Sequence, residues 1–390
     1  MTFSKVNYTM TLSQNNYKYS EIKFTEFWNS CIITIGDTMN QRLKIMAVSG
    51  TLYERGMQMG KSFRKTIQSE IEFIQELWKD EDICDRFLIV KKKLEEKYAD
   101  LLEEVYGRAD GAEVKRDDYL LYLCKEIYTY HDSCTDIIVK NHNHEIVGGH
   151  NEDGNYHLDN TALVKYQTDY GYLCDFFSTD SLAGGNFCWN SHGMIFTGNS
   201  IFVKHMNHIG IPAWFILRRV VDARNMEEVL ALFDNQDAAS GYNLNITDTN
   251  AKRSVSIEYR LDIRSVIEIN DKFAHSNHFT TEVGLPLAKR GSNSKFRLQK
   301  SLEFLNKYSL NYRRVDEKDI LNILQYRGKT PKTSILDTKY PDITAATFLY
   351  NTKRQIALYC YLDHYKYRIA YDMSNLFSDE CESSMELFSI

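Results

Sequence analysis

The chain has 390 residues, 43% of them hydrophobic, so it can bury a substantial core as one large domain or two ordinary ones. Its 47 basic and 53 acidic residues leave a net charge of -6, and the two signs are interleaved, which excludes the basic footprint of a nucleic-acid binder. The first 20 residues lack the apolar run of a signal peptide and no stretch approaches the ~20 apolar residues that cross a bilayer, so a cytoplasmic protein without nucleic-acid or membrane partners is expected.

In chain order, Ile67, Ile71, Ile74 and Leu77 recur at spacings of four and three, which predicts an amphipathic helix over Glu54 to Trp78. Two further helices are expected, from about Arg86 to Tyr106 and from about Asp117 to Tyr128. After Cys134 the period changes to short β-rich runs: Asp136 to Val139, Ile146 to Gly149, Ala162 to Tyr166, Gly171 to Phe177 and Met194 to Thr197. A helix from Pro212 to Phe233 precedes strands around Tyr242 to Thr247, Ser254 to Tyr259 and Ser265 to Ile269. Helices return after Asn293, and two strands, Ala345 to Tyr350 and Gln355 to Leu362, flank the polar turn Asn351 to Arg354. The acidic tail from Ser374 to Ile390 reads as a surface extension. Sheets flanked by helices imply layers. Four prolines, 19 glycines and no repeat favour one continuous fold.

Eight cysteines (31, 84, 124, 134, 174, 188, 360 and 381) show no CxxC pairing, which argues against a disulfide framework or a zinc knuckle, and no metal or cofactor is expected. Cys134 stands where the helical part meets the strand-rich part, in His131-Asp132-Ser133-Cys134-Thr135-Asp136. Three readings are open on the residues alone. A buried, inert thiol is the ordinary fate of a free cysteine. Alternatively, breakage of the Ser133–Cys134 bond would put an α-amine, with a reference pKa of about 7.7–8.0, on the nucleophile itself. Small Ser133 leaves room for the thiol to attack the preceding carbonyl. A papain-type pairing of Cys134 with His150, His192, His275 or His278 is a third arrangement.

Ordered motifs carry a resemblance. Gly50-Thr-Leu-Tyr-Glu-Arg-Gly56-Met-Gln-Met-Gly60, the stretch from Lys97 through Gly107 and Gly111 to Glu113, Cys134-Thr135 and Gly149-His150-Asn151-Glu152-Asp153 come in that order. Trp189-Asn190-Ser191-His192-Gly193, Gly210-Ile211-Pro212 leading to Leu217-Arg218, Ala238-Ala239-Ser240-Gly241 and His275-Ser276-Asn277-His278-Phe279 follow. Together, from about Gly50 to Leu362, they resemble the acyl-coenzyme A:6-aminopenicillanic acid acyltransferase family of self-processing N-terminal nucleophile hydrolases.

The resemblance implies an α+β, four-layer αββα sandwich. It implies self-cleavage into a helical small chain, 1–133, and a large chain, 134–390, that stay associated as one αββα domain. Cys134 would be the nucleophile, Asn277 the oxyanion donor, and Asp153 the residue that orients the new α-amine. Thr135, Asn199 and Ser240 would support the pocket or the processing, with Ser133 before the cleaved bond. The partners would be a small acyl donor and an acceptor, acyl-coenzyme A entering only as substrate.

Three departures bear on substrate. Ser133 stands where glycine is usual, Glu152 replaces an aromatic residue, and Ser334-Ile335-Leu336-Asp337 lacks the arginine of the family's S-I-C-R segment, which makes penicillin precursors doubtful substrates. The motifs around Cys134, His150 and Trp189 look closer to the branch that includes β-alanyl-amine hydrolases, with Glu152 pairing an acyl-group ammonium or simply ending a strand as a solvated carboxylate. The competing class is an unprocessed member that acts as a binding protein or subunit.

Overall fold

The computed structural model describes residues 43–129, 133–154, 156–233, 237–260, 263–287, 293–310, 314–336, 343–361 and 369–373. The expectations that rest on the first 42 residues, His131, Asp132, Asp337, Leu362, the tail from Ser374, Cys31 and Cys381 lie outside the described residues. Among the described residues no helix is long and apolar enough to cross a membrane, and all six described cysteines are free.

The expected helix from Glu54 to Trp78 is three: α1 (Leu52–Ser62), α2 (Arg64–Glu70) and α3 (Ile74–Leu77). Thr51 and Glu54 form a capping box at the start of α1, each side chain bonding the other's backbone, so the glutamate of the opening motif is a structural cap. The second expected helix is likewise divided at Tyr98 into α4 (Glu81–Lys97) and α5 (Ala99–Ala112), with α6 (Arg116–Leu123) following. Gly56 and Gly60 of α1 face Gly107 and Gly111 of α5. A Cβ on Gly107 would lie 2.1 Å from the Tyr53 carbonyl oxygen, and one on Gly60 2.1 Å from that of Arg108. The two backbones touch, which only glycine permits.

Fourteen strands are described, and period-two alternation sorts their side chains. The first sheet has the order β1 (Lys44–Val48), β4 (Thr161–Thr168), β5 (Gly171–Ser178), β6 (Phe187–Asn190), β7 (Met194–Ile201), β8 (Gly241–Asp248), β9 (Arg253–Arg260), β10 (Ile263–Glu268). The second has the order β11 (Lys272–His275), β2 (Ser133–Lys140), β3 (Ile146–Gly154), β12 (Ile343–Asn351), β13 (Ile356–Cys360), β14 (Ile369–Asp372). β1 was not expected. It lies within the segment read as mainly helical and pairs in parallel with β4. The helix expected from Pro212 to Phe233 is two, α7 (Ala213–Val220) and α8 (Met226–Leu232), because Asn225 caps the second through the Glu228 N–H.

The core has three tiers. Ala162, Val164 and Tyr166 of β4 turn toward the helices before Cys134 and α7, whereas Leu163 turns the other way. Leu163, Phe176, Phe187 and Trp189 meet Phe348, Tyr350 and Leu358 between the two sheets. Beyond the second sheet, Ile137, Val147 and Leu349 pack on Leu305 of α9 (Ser294–Leu310) and on Ile320 and Leu324 of α10 (Glu317–Leu324). Helix, sheet, sheet, helix is the expected four-layer α+β sandwich, and each layer hides an apolar face that another exposes.

Candidate active site

Antiparallel β2 and β3 run side by side, with Cys134 opposite Glu152 and Asp136 opposite His150. Alternation sends these four side chains to one face, into the space between the sheets, where the His150 ring stands 5.7 Å from the Phe187 ring. All four are buried, Cys134 being 3% exposed. His150 Nδ1 bonds Asp136 Oδ1 at 3.1 Å and Nε2 bonds Glu152 Oε2 at 2.9 Å. Tyr156 donates its hydroxyl to the other Glu152 oxygen at 2.8 Å. Burial alone would push His150 down, but the Asp136 charge and the hydrogen bonds the ring donates to both carboxylates overcome it and hold the ring up to about 10.

The Cys134 Sγ, a His150 ring nitrogen and a Glu152 oxygen lie within 4.8 Å of one another. Three donors so spaced would suit an ion, yet an imidazole that keeps both protons has no lone pair for one, and we do not read the group as a metal site. The thiols of Cys124, Cys174 and Cys188 are pushed well up by burial, and that of Cys360 upward too, so these cysteines are poor nucleophiles.

The other face of the same strands meets the second helical layer. Thr135 and Asn151 point there: Asn151 donates to the Leu324 carbonyl at 2.9 Å and accepts from Thr347 at 2.7 Å. Asp153 shares that face and accepts from the Thr344 hydroxyl at 2.6 Å, so its carboxylate and the Cys134 thiol point to opposite sides of the sheet. Ser133 and Cys134 are consecutive residues of β2, and the strand runs through the bond expected to break.

Asn277 follows the end of β11 and takes over its pairing. Its Oδ1 accepts from the Cys134 backbone N–H at 3.0 Å and from Arg297 Nη2 at 2.5 Å, while its Nδ2 donates to the Ser200 carbonyl at 2.9 Å. Two pure donors and one pure acceptor thus set the orientation of the amide. The expected oxyanion donor is engaged with Ser200 in this state.

Arg297, on α9, was missed. It is 1% exposed, and its guanidinium donates to the Cys134 carbonyl, to the Thr135 hydroxyl at 2.6 Å and to the Ser133 hydroxyl at 3.1 Å, gripping both sides of the Ser133–Cys134 bond. A signal existed. Arg297 lies three residues after Ser294 and four before Ser301, both fully buried, so an arginine occupies a helix face of small, core-facing residues.

Asn199 reaches across from the first sheet, donating to Asp136 Oδ2 at 2.6 Å and to Asn243 Oδ1 at 3.1 Å. His275 continues the chain to Glu258 at 2.9 Å. Asn199 therefore joins the polar cluster beneath Cys134. Ser240 bonds elsewhere: its hydroxyl is 3.5 Å from Glu126 Oε1, which also accepts the Ala213 N–H at 2.9 Å.

Several motifs prove structural. Glu104 of α5 holds Arg108 at 2.6 Å and Arg218 of α7 at 3.0 Å in a buried trio. Asn190 braces the turn at Gly193, whose φ of 83° suits glycine, by accepting from the Met194 N–H at 3.2 Å.

No curated protein matches this chain. The family model described as acyl-coenzyme A:6-aminopenicillanic acid acyl-transferase matches residues 139–360, more than half of the chain. The match contains His150, Glu152, Asp153, Asn199, Ser240, Asn277 and Arg297 and begins five residues after Cys134. On this fold and this match, the chain belongs to the acyl-coenzyme A:6-aminopenicillanic acid acyltransferase family, a family of enzymes of the acyltransferase and amidohydrolase type.

Proposed function

We propose that the chain cleaves itself between Ser133 and Cys134, and that Cys134, as the new N-terminus, attacks the amide or thioester bond of a small N-acyl compound. The observation that carries this reading is the bond from the Cys134 N–H to Asn277 Oδ1 at 3.0 Å. It holds the future α-amine at the strand end beside a side chain that also carries an amide donor. In the mature enzyme that amine would take the thiol proton, and the acyl group would pass to Cys134 as the amine leaves. Water or an acceptor amine would then resolve the thioester, as hydrolase or acyltransferase. The donor end of Asn277 would have to leave Ser200 to meet an oxyanion.

The two fragments would stay together through β1 paired with β4, Arg108 donating to the Ser181 carbonyl at 2.6 Å, and Glu104 holding Arg218. Glu152, beside the nucleophile, favours an acyl group bearing an ammonium, such as β-alanyl, over a long alkyl chain. That ammonium would have to join or displace His150 and Tyr156, which already hold both carboxylate oxygens.

Mass spectrometry of the purified protein tests the first half: two fragments, one beginning at Cys134, with the Cys134→Ala chain whole. An intact, inactive wild-type chain would defeat the proposal, and an intact, active one would favour a Cys–His enzyme. Turnover of β-alanyl against long-chain amides tests the second. Equal ratios in wild type and Glu152→Gln would remove Glu152 from specificity.

A further inference from the structure

Self-cleavage meets a difficulty that the mature enzyme does not. Before the Ser133–Cys134 bond breaks, the Cys134 nitrogen is an amide, its lone pair delocalised into the Ser133 carbonyl and its N–H given to Asn277, so it cannot serve as the base. Some other group must handle the thiol proton. Arg297 stays protonated and can only donate. His275 bonds Glu258 and faces Asn199, while His278 bonds the Ser294 hydroxyl at 2.6 Å. His275, opposite Asp136 in register, shares the Cys134 face but is tied to Glu258, whereas His150 lies within 4.8 Å of the Cys134 sulfur, with Asp136 and Glu152 fixing its ring at both nitrogens.

Resting on the reading of Cys134 given above, we propose that His150, with Glu152, is the proton relay for cleavage of the Ser133–Cys134 bond. The groups facing the ring are known from each side: Asp136 on β2, Glu152 on β3, Phe187 on β6 and, opposite it in register, Phe348 on β12. Aromatic packing keeps water out, and the two carboxyl groups favour the charged ring.

The step balances. The thiol proton passes to the Glu152 carboxylate, which already accepts the His150 Nε2–H, so the charged ring needs no free lone pair. Sγ bonds to the Ser133 carbonyl carbon, the bond from that carbon to the Cys134 nitrogen breaks, and the relayed proton goes to the departing nitrogen. Water hydrolyses the resulting thioester, leaving the Ser133 carboxylate and the free thiol. No oxidant or cofactor is consumed. From then on the α-amine is the nearer base, so His150 matters most for the cut and least for turnover.

Three chains made by cell-free translation, wild type, His150→Gln and His150→Ala, would be followed by intact-mass spectrometry, with near-ultraviolet circular dichroism to check folding. A general acid–base group is worth ~10²–10⁴-fold. Folded His150→Gln is therefore expected to cut at least about 100-fold more slowly. Imidazole added to His150→Ala should restore cleavage, an effect that a merely structural histidine would not give. The same spectra would report iodoacetamide labelling of Cys134 in uncut chains across pH. Labelling at neutral pH should fall in His150→Gln if the ring supports the thiolate. Cleavage of folded His150→Gln at the wild-type rate, or failure of imidazole to restore His150→Ala with labelling unchanged, overturns the relay while Cys134 keeps its role. A wild-type chain that never cuts overturns both.

Discussion

Replacing Asn277 with alanine strikes three buried groups at once. The Cys134 N–H and Arg297 lose a common acceptor, and the Ser200 carbonyl loses a donor, in a site where Asn277 is 0% exposed. A buried polar group left short of a partner costs about 1–3 kcal/mol, so the three together should cost about 3–9 kcal/mol, less whatever entering water recovers. Urea denaturation followed by tryptophan fluorescence would read this loss, with cleavage of the folded fraction read separately by mass. If Asn277 is the oxyanion donor, its removal should add a rate loss of ~10²–10³-fold.

Asn277→Asp separates the two ends of the amide. It keeps the acceptor that Cys134 and Arg297 use and removes the donor. If the donor end serves the oxyanion, Asn277→Asp should turn over as slowly as Asn277→Ala while retaining more stability. An alanine variant within about 0.5 kcal/mol of wild type, a change typical of an uninvolved surface site, with unchanged turnover, would refute this account of the site.

Asp175 offers a pH test. Burial pushes its carboxyl up to about 7, against ~3.9 in the unfolded chain. Because the folded value is the higher one, its stability contribution is complete below about pH 4 and is lost as pH rises to about 7, by ~4 kcal/mol over that window. Asp175→Asn should flatten the stability profile there and gain stability at pH 8; an unchanged slope in chemical denaturation would count against it. Gly107→Ala should destabilise by about 1–3 kcal/mol despite better helix propensity, because its Cβ would lie 2.1 Å from the Tyr53 carbonyl oxygen. A melting temperature equal to or above that of wild type would show that α1 and α5 can separate freely.

Local pattern was a good guide wherever one face of an element is apolar. The alternating runs after Cys134 became strands, and the strong stripes became helices. It failed where tertiary contacts override period. Phe63 and Tyr98 break helices that the stripe continues through, and β1, with only Val48 fully buried, carries a weak alternation that pairing with β4 makes into a strand. Within the Trp189–Gly193 motif, Trp189 and Asn190 end β6 and the turn starts only at Ser191.

Residue types and their order along the chain were enough to single out Cys134 among eight cysteines, to name Asn277 and Glu152, and to imply the layered fold. A linear pattern holds such signals because alternation and helical period are local. The partners of those residues were decided only by folding. Register puts His150 and Glu152 on the cysteine's face and Asp153 on the opposite one, and α9 brings Arg297 from 163 positions along the chain to the Cys134 carbonyl. Neither follows from sequence spacing, because both depend on which strands pair and which helix covers them.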